Sequence, residues 1–239
     1  MDKLPETYDG TDLPELRRRV IACATVMEEI LPFLPSSVSY EILDFGLHLR
    51  PGELKNTLQE KVNETSQNQD VLLLGYGLCS MAVVGLHATT ATLIIPRVDD
   101  CISIFLGSGS AYRQQARQEP GTYYLTKGWI EVGDSPFEEY ARMAEKYGEA
   151  KSKRMIGLAL KNYTRLAFIN TGQYEIERYQ AYAQRMADQF GLRYEEISGS
   201  PALVKKLIFG PWDKEFVVVR PGQTVQYEDF TPSAPDSKK

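Results

Sequence analysis

Three cysteines, the only three among 239 residues, each follow a run that reads as a buried strand. Cys23 ends Val20-Ile21-Ala22-Cys23. Cys79 follows Leu72-Leu73-Leu74-Gly75-Tyr76-Gly77-Leu78, and Cys101 follows Ile94-Ile95-Pro96-Arg97-Val98-Asp99-Asp100. A fourth run, Tyr40 to Phe45, leads to His48. Thiols and an imidazole together suit zinc or an iron–sulfur cluster. All four ligands on zinc make a closed structural site, whereas three thiolates leave one position open for chemistry. No C-x-x-C pair is present, so this is not the spacing of a zinc ribbon or knuckle. The signal is positional: in an open parallel sheet, everything just past the carboxyl ends of the strands lies on one edge, where ligands bind. Against it stands plain packing, because free cysteine is among the most buried residue types.

Further groups would share that edge. Arg97, at a strand end, is placed to hold an anionic substrate group, or to pair with Asp99 or Asp100. The two aspartates read as a turn capping a helix that starts near Cys101, and a helix N-terminus also lowers a thiol's pKa. Ser108 lies in Gly107-Ser108-Gly109-Ser110. That turn, Asn170-Thr171-Gly172 and Ser198-Gly199-Ser200-Pro201 suit anions at helix N-termini, although none matches a Walker loop or a dinucleotide fingerprint. Tyr123 belongs to an aromatic segment, with Tyr124 and Trp129, that reads as core or as a pocket wall. Arg97, Ser108 and Tyr123 are therefore the candidate cofactor contacts, and Cys23, Cys79, Cys101 and His48 the candidate metal ligands. His87 reads as structural, late in a helix after Cys79, and no catalytic residue is assigned.

The elements that must position these groups alternate between strand and helix. Strands are expected at Arg19 to Val26, Val38 to Leu47, Asp70 to Leu74 and Thr92 to Pro96. Helices are expected at Glu53 to Thr65, where Leu54, Leu58 and Val62 recur every fourth residue, and in a small-residue stretch after Cys79. A helix at Ser108 to Gln118, an extended segment near Tyr123 and two helices parted near Gly148 follow. The alternation then resumes: strand Arg165 to Asn170, helix Tyr174 to Phe190, strand Arg193 to Ile197, helix Pro201 to Phe209 and strand Glu215 to Val219. This pattern predicts an α/β fold, doubly wound and Rossmann-like, with mostly parallel sheets and helices on both faces. Residues 1–18 and 231–239 read as loose or disordered ends. Residues 19–230 read as one α/β domain, or as two subdomains at 19–130 and 150–230, with one sheet or two left open.

Composition excludes several classes. The chain is 43% hydrophobic and 25% charged, which excludes disorder and fibrous repeats. A net charge of −5 argues against nucleic acid as a partner. No apolar run reaches the roughly 18 residues of a membrane span. The polar start Met1 to Glu6 is not a signal peptide, so the expected compartment is the cytoplasm. There, three cysteines point to metal or catalysis rather than to disulfides.

Several of these segments together resemble the bacterial and archaeal family called domain of unknown function 1638. They are Cys23 before a Glu-containing helix, Leu47-His48 before a proline, Gly75-Tyr76-Gly77-Leu78-Cys79, Cys101 after a Pro-containing strand end, Leu106-Gly107-Ser108, and Pro120 to Thr126. The resemblance runs from Val20 to Pro221. It carries over Cys23, Cys79 and Cys101 as a site. Members carry an acidic residue where Leu78 stands and His-Cys where Asp100-Cys101 stands. With no histidine before Cys101, His48 becomes the nitrogen donor. Members often stand beside corrinoid-dependent methyltransferases in anaerobes, which implies, by association, one-carbon metabolism.

Three functions compete. The first is a metal protein, holding zinc or a [4Fe-4S] cluster, with a corrinoid protein or methyltransferase as partner. The second is a metal-free accessory module binding a small ligand or a corrinoid, its cysteines structural. The third is thiol catalysis by Cys79 or Cys101, which lacks an obvious base. A homodimer is the base-rate expectation for the assembly.

Overall fold

The structure, a computed structural model, describes residues 16–79, 81–132, 135–172 and 175–231. Most of the two ends expected to be loose, and Tyr174, lie outside the described residues. The chain forms two compact units, Met1–Gly109 with Pro201–Lys239, and Ser110–Ser200.

The first unit opens with β1 (Arg18–Cys23), α1 (Ala24–Ile30), β2 (Ser39–Leu43), α2 (Pro51–Ser66), β3 (Val71–Gly75), β4 (Thr92–Pro96) and α3 (Cys101–Phe105). β3 and β4 are buried along their whole length, as continuous apolar runs in a parallel sheet covered on both faces must be. α2 carries Pro51 in its first turn, where no backbone donor is lost, and buries Leu54, Leu58 and Val62. The strands run in the order β2-β1-β3-β4, all parallel.

Two local expectations change here. The strand at Val38 to Leu47 stops at Leu43, because the Asp44 side chain accepts from the Gly46 amide at 2.8 Å and caps a 3-10 helix, Phe45–Leu49, that carries His48. Among the described residues the expected helix after Cys79 is replaced by turns over residues 81–85, and both Cys79 (φ 43°) and Met81 (φ 71°) are left-handed, which breaks helical continuation. His87 accordingly forms an isolated bridge with Thr224 rather than closing a helix.

The second unit holds most of α4 (Gly109–Gln118), then β5 (Thr122–Leu125), α5 (Lys127–Val132), α6 (Pro136–Tyr147), α7 (Glu149–Ala159), β6 (Arg165–Asn170), α8 (Glu177–Phe190) and β7 (Arg193–Ser198). Its three strands are parallel, in the order β5-β6-β7. Leu125, Phe137, Leu166, Phe168 and Ala183 form its core. The buried Arg165 is held by Thr122, Glu195 and Gln115 at 2.8–3.0 Å.

The chain then returns to the first unit through α9 (Ala202–Phe209) and β8 (Phe216–Val219). β8 pairs antiparallel with β4 and closes a five-stranded sheet. The described residues thus form two sheets. The units do not follow one another as 19–130 and 150–230, because the last strand belongs to the first sheet. The architecture is α/β, mostly parallel and Rossmann-like.

Candidate metal centre

The strand order creates a topological switch. From β1 the chain goes to β2 on one side, then crosses back to β3 on the other, so the connections leaving β1 and β3 diverge and open a crevice at their carboxyl ends. Cys23 is the last residue of β1 and Gly75 the last of β3. Ala22 pairs with Gly75, so Cys23 and Tyr76 are the next residues outward on neighbouring strands. Glycine is required at the pairing point: a Cβ on Gly75 would stand 2.7 Å from the Ala22 Cβ.

Beyond Tyr76 the chain is tied to the segment that follows β4. The Leu78 amide donates to the Val98 carbonyl at 2.9 Å and the Cys79 amide to the Asp99 carbonyl at 3.2 Å. A Cβ on Gly77 would stand 2.7 Å from the Val98 carbonyl oxygen and 3.1 Å from the Asp100 amide. The loop bearing Cys79 therefore lies along the loop leading to Cys101. The Asp100 side chain caps α3 by accepting from the Ile102 amide at 2.9 Å, which makes Cys101 the first helical residue. Cys79 adopts its left-handed conformation at the centre of this arrangement. For a non-glycine residue that costs of order 1–3 kcal/mol, and such strain clusters at functional sites.

Burial dominates the titration of all three thiols, and negative charge on neighbouring groups adds to it at Cys79 and Cys101. Cys23 and Cys79 are buried, and Cys101 is partly so. Burial first, and then the charge of Cys23, push the Cys79 thiol up to about 12. Burial, and then Cys79, Cys23 and Asp100, raise Cys101 well above the ordinary thiol value. Burial raises Cys23 as well, opposed by its hydrogen bond with the Thr25 hydroxyl at 3.3 Å. Without a cation to share, all three are neutral at pH 7.

Beside them is a stack of rings. Tyr76 is fully buried, and among the described residues its Oη has no hydrogen-bond partner. Its ring stacks on His48 (centroids 6.0 Å, 24° between planes), which stacks on Phe45 (5.1 Å, 28°). His48 Nδ1 lies 3.0 Å from the Phe45 carbonyl oxygen. A carbonyl only accepts, so Nδ1 carries the proton and Nε2 the lone pair. Burial lowers the His48 pKa, opposed by this same bond, and favours the neutral ring. A neutral imidazole anchored through one nitrogen is the form that ligates a metal or accepts a proton.

The other candidates are spread more widely. Arg97 turns to the β8 side, where a terminal nitrogen donates to the Phe216 carbonyl at 3.2 Å and Nε is buried without a partner. Ser108 lies in the turn between α3 and α4. Tyr123 belongs to the second unit, packing edge-on against Phe137 and Tyr163 at 5.3 and 5.4 Å. Tyr76 escaped the sequence reading. The signal for it was one large hydroxyl-bearing side chain between two glycines at a strand end.

Residues 42–208, more than half of the chain, match the family model described as "Protein of unknown function (DUF1638)". The chain belongs to this family. The match takes in His48, Cys79 and Cys101, while Cys23 precedes it. It is narrower at both ends than the Val20 to Pro221 resemblance. No curated protein and no solved structure matches the chain.

Cys23 ends and Cys79 and Cys101 follow strands that border the crevice, and sulfur donors are the chemistry of a thiophilic centre. Among the described residues, no group of three or more His, Cys, Asp or Glu is placed so that it could hold a metal ion.

Proposed function

We propose that this protein binds a metal centre, zinc or a [4Fe-4S] cluster, through Cys23, Cys79 and Cys101. The reading is supported by the placement of Cys23, Cys79 and Cys101 on the three segments that border the switch-point crevice of a parallel sheet. Burial first, and for Cys79 and Cys101 neighbouring negative charge, holds the thiols neutral, and a bound cation would offset both as it takes the place of their protons. His48 is the fourth ligand or acts at the open position, and with its lone pair on Nε2 it accepts a proton there rather than giving one. When bound, such a centre supplies a Lewis-acidic position or an electron. The family resemblance supports a setting in corrinoid-linked one-carbon metabolism, with a corrinoid protein or methyltransferase as partner. Unpaired thiols suit a reducing compartment, which supports the cytoplasm. Among the described residues no helix is long and apolar enough to cross a membrane.

A second reading, a metal-free module that binds a small ligand or a corrinoid, draws on the near-complete burial of Cys23 and Cys79, the state of cysteines used as packing. Purification without oxygen separates the two. Brown protein with broad visible absorption identifies a cluster, and colourless protein with one equivalent of zinc identifies zinc. Protein that holds neither, even after reconstitution with each, rejects the metal reading and leaves the module.

A further inference from the structure

We propose that the outer face of α4 binds the phosphate group of a small molecule. The site lies in the second unit, and it neither uses nor requires the cysteines. Its chemistry starts in the sequence. α4 reads Gly-Ser-Ala-Tyr-Arg-Gln-Gln-Ala-Arg-Gln and holds no acid. Ser110, Arg113, Gln114, Arg117 and Gln118 recur at the three- and four-residue intervals that share one helix face. These five residues, all in the second unit, line a cavity of about 470 Å³, a size that suits a small-molecule ligand.

Packing fixes which way that face points. From the other side of the helix, Gln115 Oε1 accepts from the Arg165 guanidinium at 2.8 Å, and the Tyr112 ring meets the Tyr124 ring with centroids 6.1 Å apart. α4 is thereby tied to β5 and β6, and the five lining residues are left exposed. Among the described residues, neither the Arg113 nor the Arg117 guanidinium has an ion-pair or hydrogen-bond partner. Other exposed arginines of the unit do reach carboxylates: Arg142 pairs with Glu139 at 2.8 Å and Arg178 with Glu131 at 3.5 Å. Glu119, the nearest acid in sequence, is taken by Arg193 at 2.6 Å.

Charge then names the ligand. Like charges four residues apart on a helix repel, so this arginine pair is unfavourable until an anion bridges it. Each guanidinium presents a planar fork of donors that matches phosphate oxygens. Two forks carry two positive charges. A phosphate monoester answers them with close to two negative charges and three terminal oxygens, whereas a carboxylate offers one charge and two oxygens. Among the described residues no acid lines the cavity to oppose the anion. The Ser110 hydroxyl and the Gln114 and Gln118 amides both donate and accept, which suits the polar remainder of a phosphorylated molecule.

The test is calorimetric titration of the full chain with inorganic phosphate, and separately with acetate, at one fixed ionic strength. Phosphate should bind saturably and about 10-fold more tightly than acetate. Arg113→Gln and Arg117→Gln should each weaken phosphate about 10-fold. Glutamine matches arginine in helix propensity, so without phosphate both variants should melt as the wild type does. Arg117→Lys keeps the charge but loses the fork, and should recover only part of the affinity. Arg142→Gln removes one charge from α6 and should leave phosphate binding unchanged. If Arg142→Gln weakens phosphate as much as the α4 variants do, the effect is net charge alone and the proposal falls. Wild-type affinity in the double variant Arg113→Gln, Arg117→Gln overturns it as well, and so does a wild-type protein with no saturable binding at millimolar phosphate. Acetate that binds as tightly as phosphate overturns the choice of phosphate.

Discussion

Cys79 concentrates the features of the site in one residue: a left-handed backbone, a buried thiol, and a neighbour on each side of the crevice. Cys79→Ser or Cys101→Ser should reduce bound metal to background while leaving the circular dichroism unchanged, because the α/β core is formed without them. Full occupancy in both variants would remove these residues from the ligand set. The raised Cys79 pKa also makes a pH prediction for the metal-free protein. Below the ordinary thiol value of 9.0 both folded and unfolded chains keep the proton, and this contribution to stability is fully present. Between 9.0 and about 12 the unfolded chain releases it first, so stability falls as pH rises, by about 1.4 kcal/mol per pH unit for one such thiol. Urea unfolding of Cys79→Ala across that range should show a shallower fall than wild type. His48 has the opposite sign. Its folded pKa is depressed, so its contribution is complete above the ordinary value of 6.5 and is lost as pH falls through the lower folded value. His48→Ala should flatten the acid limb of the stability profile of the metal-free protein. An X-ray absorption spectrum of the loaded variant, compared with wild type, decides whether a nitrogen has left the ligand shell.

At the level of elements, two loops make the crevice, and backbone hydrogen bonds hold them together. Gly77 is the point of closest approach, since a Cβ there would meet the Val98 carbonyl and the Asp100 amide, neither of which is a flexible side chain. Gly77→Ala should therefore destabilise the protein by roughly 1–3 kcal/mol and weaken metal uptake together, read by urea denaturation and by metal analysis. Gly52→Ala is the control: a Cβ at Gly52 meets nothing within 4 Å. Equal behaviour of the two variants would show that the loops have room to separate.

Across the whole molecule, the first sheet is completed by residues that arrive last. α9 buries Leu203, Val204, Leu207 and Ile208, and β8 contributes Phe216 and Val217. At about 1.5–3 kcal/mol for each buried side chain, their loss is comparable to the roughly 5–15 kcal/mol that holds a typical domain folded. A chain ending at Ser200, or the fragment 19–130, should lack cooperative unfolding by circular dichroism. A fragment 19–130 that melts cooperatively would restore the sequential arrangement of subdomains.

Where the local pattern was strong, the sequence alone determined the element: strands Thr92–Pro96 and Arg165–Asn170 have the bounds their apolar runs predict, and α2 buries the face its four-residue spacing predicts. The position of the three cysteines past strand ends was legible for the same reason. The 3-10 helix at His48 and the turns after Cys79 were not, because one capping aspartate and two left-handed residues outweigh the pattern around them. Strand order was legible least of all. A strand's composition says that it is buried but not which neighbour buries it, and nothing local distinguishes β8, antiparallel beside β4, from a strand in the second sheet. The crevice between β1 and β3 exists only once segments fifty residues apart are in register, so tertiary structure alone decided it.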